Sequence, residues 1–367
     1  MSDEHPSTTP ASAPTGTTST STSERTDVPT GTTSTSTAAE AVGTSQPGFF
    51  TRHPLLTFIL RRILLAFVTL LGVIVVVFFL IQLVPGDPVR IALGTRYTDE
   101  AYQALQQASG LDKPLIVQFF SYIAGALTGD LGVSFRNGEP VMLLLLERLP
   151  ATISLAVCGI LVALLIAIPL GTIAGLREGG AVDSVVRVIS QFGVSIPDFW
   201  MGMMLISVFA LGFGWPSSGY TPLTEDPIGW ATHMVLPAIT AGVVSAAILT
   251  RFIRTAVIDV SHATFVRTAT SKGLTYWAVL TKHIGRNALI PVLTISGIQL
   301  ATLLGGVIVV EVVFAYPGLG RLIYDAVAAR DYPLLQGAIL LIAFIFLTIN
   351  LLVDVLYAII DPRIRIS

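Results

Sequence analysis

The sequence has little charge for its length. Of its 367 residues, 12% are charged and 53% are hydrophobic, whereas a typical soluble domain has about 25% charged residues. This composition excludes an ordinary soluble enzyme and a nucleic-acid-binding protein. It predicts a polytopic membrane protein.

Residues of the metal-ligand and nucleophile types are equally scarce. The single cysteine, Cys158, lies in an apolar segment, so an internal disulfide and a cysteine-rich metal site are both excluded. The five histidines are scattered without ligand spacing. None of the three lysines belongs to a Gly-x-x-x-x-Gly-Lys-Ser/Thr loop, so the chain is not predicted to bind ATP through that motif.

Residues 1–48 differ from the rest of the chain. Ser and Thr occupy 23 of these 48 positions, and the segment PTGTTSTST occurs twice, at 14–22 and at 29–37. Such polar, low-complexity sequence cannot bury enough apolar surface to offset the entropy of ordering it. We therefore predict a disordered tail rather than a signal peptide. A cluster of regulatory phosphorylation sites and a passive tail both remain open.

The membrane spans are predicted from uncharged runs. A helix needs about 20 apolar residues to cross the hydrocarbon core, and the sequence has six uncharged runs of 22 to 28 residues. Because irregular backbone cannot face lipid, residues 49–367 are predicted to form an all-helical bundle. The predicted spans are 60–84, 151–176, 194–214, 231–252, 288–311 and 335–358.

The distribution of Lys and Arg predicts the orientation. The N-terminal flank, two alternate loops and the C-terminal end together hold 13 basic residues, whereas loops 215–230 and 312–334 hold only Arg321 and Arg330. Basic residues accumulate on the cytoplasmic side. Both termini are therefore predicted to be cytoplasmic, in a multi-pass protein of the cell membrane.

The long outer loop, residues 85–149, is predicted to contain two helices. Thr98 followed by Asp99 signals one helix start, and Pro114 signals another that ends near Gly129. This segment is predicted either to cap the outer mouth of the bundle or simply to pack against it.

Loop 253–287 is too long for a simple connection. Small residues precede Gly273, and an apolar and polar mixture follows it, which favours a helix, a glycine turn and a second helix. A short helix of this kind can dock into a groove of a partner protein. It can also lie on an anionic membrane surface, and the residues alone leave both readings open.

The stretch VRTATSKGLTYWAVLTKHIGRNALIPVL, at 266–293, resembles the coupling loop, known as the "EAA" loop, of ABC importer permeases. Arg267-Thr268-Ala269 stands where the family has Glu-Ala-Ala, and Gly273 falls at the family's spacing. Asn287 stands about where many members have proline. This variant is typical of the dipeptide, oligopeptide and nickel branch.

Other segments carry the same resemblance over about 52–367. Together they resemble the first of the two permease subunits found in such peptide importers. They are Val84-Pro85-Gly86-Asp87-Pro88, Gly129 to Ser134, Arg148 to Thr152, Glu311 to Gly320, and Asp361-Pro362-Arg363.

The resemblance implies a type I ABC importer permease architecture and a non-catalytic subunit. It implies pairing with a second homologous permease, two cytoplasmic ATPase subunits that bind ATP and magnesium, and an extracytoplasmic substrate-binding protein. No cofactor is expected in this chain. Di- or oligopeptides are the implied cargo, with nickel, glutathione or another small solute as alternatives and an ion-coupled secondary transporter as a less favoured one. The implied ATPase-coupling residues are Phe265, Arg267, Thr268, Ala269, Lys272 and Gly273.

Acidic residues near the spans are the remaining candidates. Asp198 follows Ser195-Ile196-Pro197 and is expected either to cap a helix or to act in the pathway or in gating. Glu311 is expected either to contact another subunit or to pair with Arg321. Asp354 is expected to pair with Arg363 or Arg365.

Four glycines are also conspicuous within the predicted spans. They are expected to allow close helix approach, with a hinge as the alternative. They are Gly171, Gly175, Gly305 and Gly306.

Overall fold

A computed structural model of the chain describes residues 54–360. Over this range the protein is helical, with one isolated β-bridge between Val133 and Pro140. The predicted all-helical fold class is confirmed. The tail predicted for 1–48 and the segment Asp361-Pro362-Arg363 lie outside the described residues.

Thirteen α-helices and a short 3-10 helix at Gly94–Arg96 are described, and five of the α-helices are long and apolar enough to cross a membrane. The five are α1, α5, α8, α10 and α13. In chain order the helices are α1 Pro54–Gln82, α2 Pro88–Leu93, α3 Asp99–Ala108, α4 Leu115–Thr128, α5 Val141–Leu176, α6 Ala181–Ser195, α7 Asp198–Leu205, α8 Pro227–Ser261, α9 Thr264–Ser271, α10 Tyr276–Gly306, α11 Ile308–Val313, α12 Leu319–Ala329 and α13 Tyr332–Ile360.

The third predicted span, 194–214, is broken. Helix α6 ends at Ser195, α7 begins at Asp198, and the two are bent by 96°. Pro197 explains the break, because it lacks an N–H and disfavours helical backbone in the residue before it; Ile196 is extended, with φ −80° and ψ 122°. Helix α7 then widens into a π-helical turn over Ile206–Leu211. The described residues therefore contain five long spans, and a sixth only if α6 and α7 together cross the membrane.

Other predicted boundaries also move. Helix α5 starts ten residues before the predicted 151, and α8 continues nine residues past the predicted 252. Charged residues mark the edge of an apolar segment, but a helix can continue past them. Spans predicted from uncharged runs therefore end too early or start too late. The predicted coupling loop 253–287 is therefore mostly helical, and only 262–275 lies between the long helices α8 and α10.

Helices α5 and α8 form the centre of the bundle and make the most extensive helix pair among the described elements. A Cβ on Gly171 would lie 2.8 Å from the Cβ of Ile253, and one on Gly175 would lie 2.8 Å from the Cβ of Val257. The predicted packing role of these two glycines is confirmed. Gly305 and Gly306 differ, since a Cβ on either would meet nothing within 4 Å.

The segment between α1 and α5 begins with a carboxylate that caps a helix. Asp87 accepts hydrogen bonds from the amides of Val89 and Arg90 at the start of α2 and, at 2.7 Å, from the Tyr102 hydroxyl. Burial alone would raise the pKa of Asp87. The hydrogen bonds lower it by more, so the pKa lies below its usual value. Their stabilising contribution is therefore lost as the pH falls through that lowered pKa.

The two helices predicted in this segment are present. The Thr98 hydroxyl accepts from the Ala101 amide at the start of α3, and Gly129 ends α4 with φ +82°. Helix α4 packs on α1, with the Phe119 and Phe78 rings 5.3 Å apart. The described residues thus show packing of this segment against the bundle.

A buried carboxylate ties the segment before α5 to the start of α13. Asp331 is 1% exposed. It accepts from the Ser134 hydroxyl, from the amides of Phe135 and Arg136 at 3.2 and 3.3 Å, and from the Leu334 amide at 3.4 Å. One side chain therefore holds the loop and the helix start together.

Asp331→Ala should destabilise the protein by about 3 kcal/mol, because it leaves several buried donors without an acceptor. The measurement is the thermal unfolding midpoint of the purified protein in detergent. Asp325→Ala, which removes an exposed acid from the adjacent helix α12, is the matched control. Equal midpoints for the two variants would contradict this account.

Candidate functional site

Helix α9, Thr264–Ser271, is a short helix held between the ends of α8 and α10. It begins after Ala263, whose backbone is extended, and Lys272 follows its last residue as the C-cap. Gly273 then adopts φ +78° and donates from its amide to the Thr270 carbonyl at 2.9 Å. Only glycine takes this left-handed conformation without steric cost, so Gly273 sets the direction of the chain after α9.

The two faces of α9 are different. Val266 and Ala269 are 6% and 5% exposed and belong to the main hydrophobic core. The other five residues expected to couple to ATPases are exposed, including Phe265 at 45%. Ala269 does not share their surface, because its methyl group packs against the bundle. The exposed five are Phe265, Arg267, Thr268, Lys272 and Gly273.

Two aromatic residues beside these were missed in the sequence. Tyr276 and Trp277, at the start of α10, are 62% and 71% exposed, with ring centroids 5.7 Å apart. Two adjacent aromatic residues, three and four positions after Gly273, were the available signal in the sequence. We call the exposed set the α9 surface: Phe265, Arg267, Thr268, Lys272, Gly273, Tyr276 and Trp277.

Arg254, a basic residue of the predicted loop 253–287, is paired inside the fold. Its guanidinium donates hydrogen bonds from both Nε and Nη2 to the carboxylate of Asp183 on α6, and Nη2 lies 2.8 Å from Oδ2. The Gly179 amide donates to the same carboxylate at 3.0 Å. Asp183 is fully buried, and its partner is 71 residues away, so no local pattern indicated the pair.

Asp198 is the first residue of α7, so the expected helix start is present, but no side chain caps it. The Ser195 hydroxyl donates to the Gln191 carbonyl instead, at 3.0 Å, and the start of α7 has no side-chain cap. Oδ1 of Asp198 is buried without a hydrogen-bond partner among the described residues. The capping bond is therefore absent, but an acid in the first turn is still favourable at the positive end of α7.

Glu311 is fully buried and acts as a remote cap for α12. Its Oε1 accepts from the Thr152 hydroxyl at 2.7 Å, and its Oε2 accepts from the Arg321 amide at 3.1 Å. The Thr152 hydroxyl also accepts from the Leu319 amide at 2.7 Å. A carboxylate near the first amides of a helix is stabilising.

The expected charge pair between Glu311 and Arg321 is not formed. The Arg321 guanidinium donates to the Ala315 carbonyl, and only its backbone amide reaches Glu311. Ala315 has φ +52°, which turns the chain between α11 and α12. Because Glu311 has no exposed surface, its contacts lie within this chain, with Thr152 of α5 and with the start of α12.

Asp354 pairs with Arg62 at 2.7 Å. The pair joins the first and last long helices. The expected partners Arg363 and Arg365 lie outside the described residues.

Gly318→Ala should disrupt the turn around Glu311, because the added Cβ would overlap the Glu311 carboxyl group. We expect a large fall in the thermal midpoint or loss of folded protein. Gly305→Ala, where a Cβ meets nothing within 4 Å, is the control. Wild-type stability of Gly318→Ala would show that the segment can rearrange freely.

The long apolar helices and the short exposed helix between two of them define a multi-pass membrane protein. The profile of the family described as "Binding-protein-dependent transport system inner membrane component" matches residues 167–366. A companion profile for the N-terminal part of such components matches 55–156. The chain therefore belongs to this family of transport permeases.

Relatives match over nearly their full lengths. A putative peptide transport system permease of Brucella abortus (strain 2308) is 39% identical over 308 residues, 84% of this chain and 98% of the relative. The dipeptide transport system permease DppB of Escherichia coli (strain K12) is 38% identical over 336 residues, 85% of this chain and 99% of the relative.

A solved structure supports the fold. A chain of the inward-facing methionine ABC transporter MetNI is similar with a TM-score of 0.51 at 18% identity, covering 60% of this chain and 97% of that one. The expected ABC importer permease fold is thereby confirmed.

Proposed function

We propose that the chain is one of two membrane subunits of an ATP-driven importer of di- or oligopeptides. The observation that carries this proposal is the 38–39% identity, over nearly their whole lengths, to permeases named for peptide and dipeptide transport. Membership of the binding-protein-dependent family supports a second homologous permease, ATPase subunits and an extracytoplasmic binding protein as partners.

The α9 surface is the proposed contact with the ATPase subunits. It combines an exposed aromatic residue, Phe265, with two exposed cations, Arg267 and Lys272. Aromatic residues and arginine are enriched at protein interfaces, and the two cations can pair with acidic groups of a partner. In this proposal α9 and both chain termini are cytoplasmic, ATP and magnesium are bound by the ATPases, and this chain is not itself an enzyme.

The proposed mechanism is mechanical. Closing of the ATPases on ATP displaces α9, and the buried pair Val266 and Ala269 passes this displacement to the bundle. The bundle then alternates between inward- and outward-facing states. The ATPases shift this equilibrium from the inside and the loaded binding protein shifts it from the outside. Asp198 and its unpaired oxygen are a proposed pathway or gating element, whereas the full burial of Glu311 supports a structural role.

Nickel, glutathione and other small solutes are alternative cargoes, because the binding protein largely selects the cargo. The decisive experiment is reconstitution of the complete complex in liposomes, with labelled peptide outside and ATP at the ATPase face. ATP-dependent peptide uptake that also requires the binding protein is expected. Uptake by this chain alone without ATP would overturn the proposal in favour of a secondary transporter.

Gly273→Pro should abolish transport, because proline fixes φ near −65° while this position needs +78°. Peptide capture by the binding protein should be unchanged. Gly273→Asn is the matched control, since asparagine tolerates the left-handed conformation, and it should retain most uptake. Wild-type uptake by the proline variant would refute the role of this turn.

Reversal of both cations, Arg267→Glu with Lys272→Glu, should release the ATPase subunits from the purified complex. The measurement is the amount of ATPase that co-purifies with this chain. Lys113→Glu with Arg136→Glu reverses two exposed cations in the segment between α1 and α5 and should leave ATPase recovery unchanged. Equal recovery in the two double variants would exclude these cations from the interface.

A further inference from the structure

The ion pair between Asp183 and Arg254 joins α6 to α8. Helix α6 leads into the bent pair α6–α7, and α8 leads to α9. Asp183 is in the first turn of α6, and Arg254 lies seven residues before the end of α8 at Ser261. From Asp183, α6 runs to Ser195 and the 96° bend. From Arg254, α8 runs directly to α9.

The pair constrains both distance and orientation. Two nitrogens of Arg254 bind the two oxygens of Asp183, and such forked contacts fix geometry more strictly than a single charge contact. The Gly179 amide holds the same carboxylate from the turn between α5 and α6. Three chain segments therefore meet at one buried side chain.

Apolar contacts alone would hold α6 less strictly. A Cβ on Gly193 would lie 2.9 Å from the Cβ of Ala247, so α6 lies directly along α8. Packed helices without directional bonds can slide by small shear movements. A buried ion pair adds little net stability but can specify one arrangement.

Resting on the function proposed above, we propose that Asp183 and Arg254 are a positioning pair that makes α6 follow α8. A displacement applied at α9 then reaches the bend at 195–198 and reorients α7. Without the pair, the ATPases would still bind and hydrolyse ATP, but the broken span would follow them poorly. The expected defect is loss of coupling rather than loss of assembly.

The test uses the complete complex with its binding protein in proteoliposomes, and it measures peptide transported per ATP hydrolysed. Asp183→Asn should lower this ratio about tenfold, within the usual range of coupling between sites. ATPase recovery and basal hydrolysis should stay near wild-type values. Arg187→Ala is the matched control, because Arg187 approaches the same carboxylate at 3.6 Å but is 54% exposed; its ratio should be unchanged.

A second variant separates coupling from folding. Arg254→Lys keeps the charge balance and loses the fork, so it should fold and still lower the ratio. A normal ratio in Arg254→Lys, or in Asp183→Asn with only a lower thermal midpoint, would overturn the positioning role and leave a structural one. If wild-type complex itself shows no ATP-dependent peptide uptake, the proposed function fails, and that result is distinct from either variant outcome.

Discussion

The backbone contact between α5 and α8 is the constraint on which the fold depends. Gly171 and Gly175 let α5 touch α8 directly, and a Cβ on Gly242 of α8 would lie 2.7 Å from the Gly159 carbonyl oxygen. Lipid tails are as apolar as leucine, so membrane helices associate mainly through such close packing. Helices α6 and α10 are then arranged around this pair. Helix α8 is packed on α5 along this contact and continues to Ser261, so α9 follows directly from the centre of the bundle.

The buried carboxylates show three ways of stabilising charge in this bundle. Asp183 has a guanidinium partner, Glu311 has a hydroxyl and the first amides of a helix, and Asp331 has a hydroxyl and several loop amides. Each joins segments that are distant in sequence. Asp198 stands apart, because one of its oxygens has no hydrogen-bond partner in the described part of the chain. The three paired acids are explained by their partners, whereas Asp198 has only its place in the first turn of α7.

Features set by short-range physics were predictable from the sequence. Charge marks the apolar segments, the Thr98 cap and the Gly129 terminator define their helices, and Gly273 sets its own turn. Features set by neighbours were not predictable. The inward face of α9 at Ala269 depends on the bundle behind it, and Glu311 finds Thr152 from 159 residues away. A helix start at Asp198 was expected, but the 96° bend before it was not, because a count of uncharged residues ignores backbone hydrogen bonding.

The Arg62–Asp354 pair bears on the order in which the chain is assembled. Its members lie on α1 and α13, the first and last of the long helices, so nearly the whole chain separates them. During synthesis Arg62 enters the membrane region long before Asp354 is made. Asp354 therefore arrives with its counter-charge already present, and an acid in the final helix is inserted at lower cost than it would be alone. The contact can form only after the last helix has been made, so the first and last long helices are joined late in synthesis.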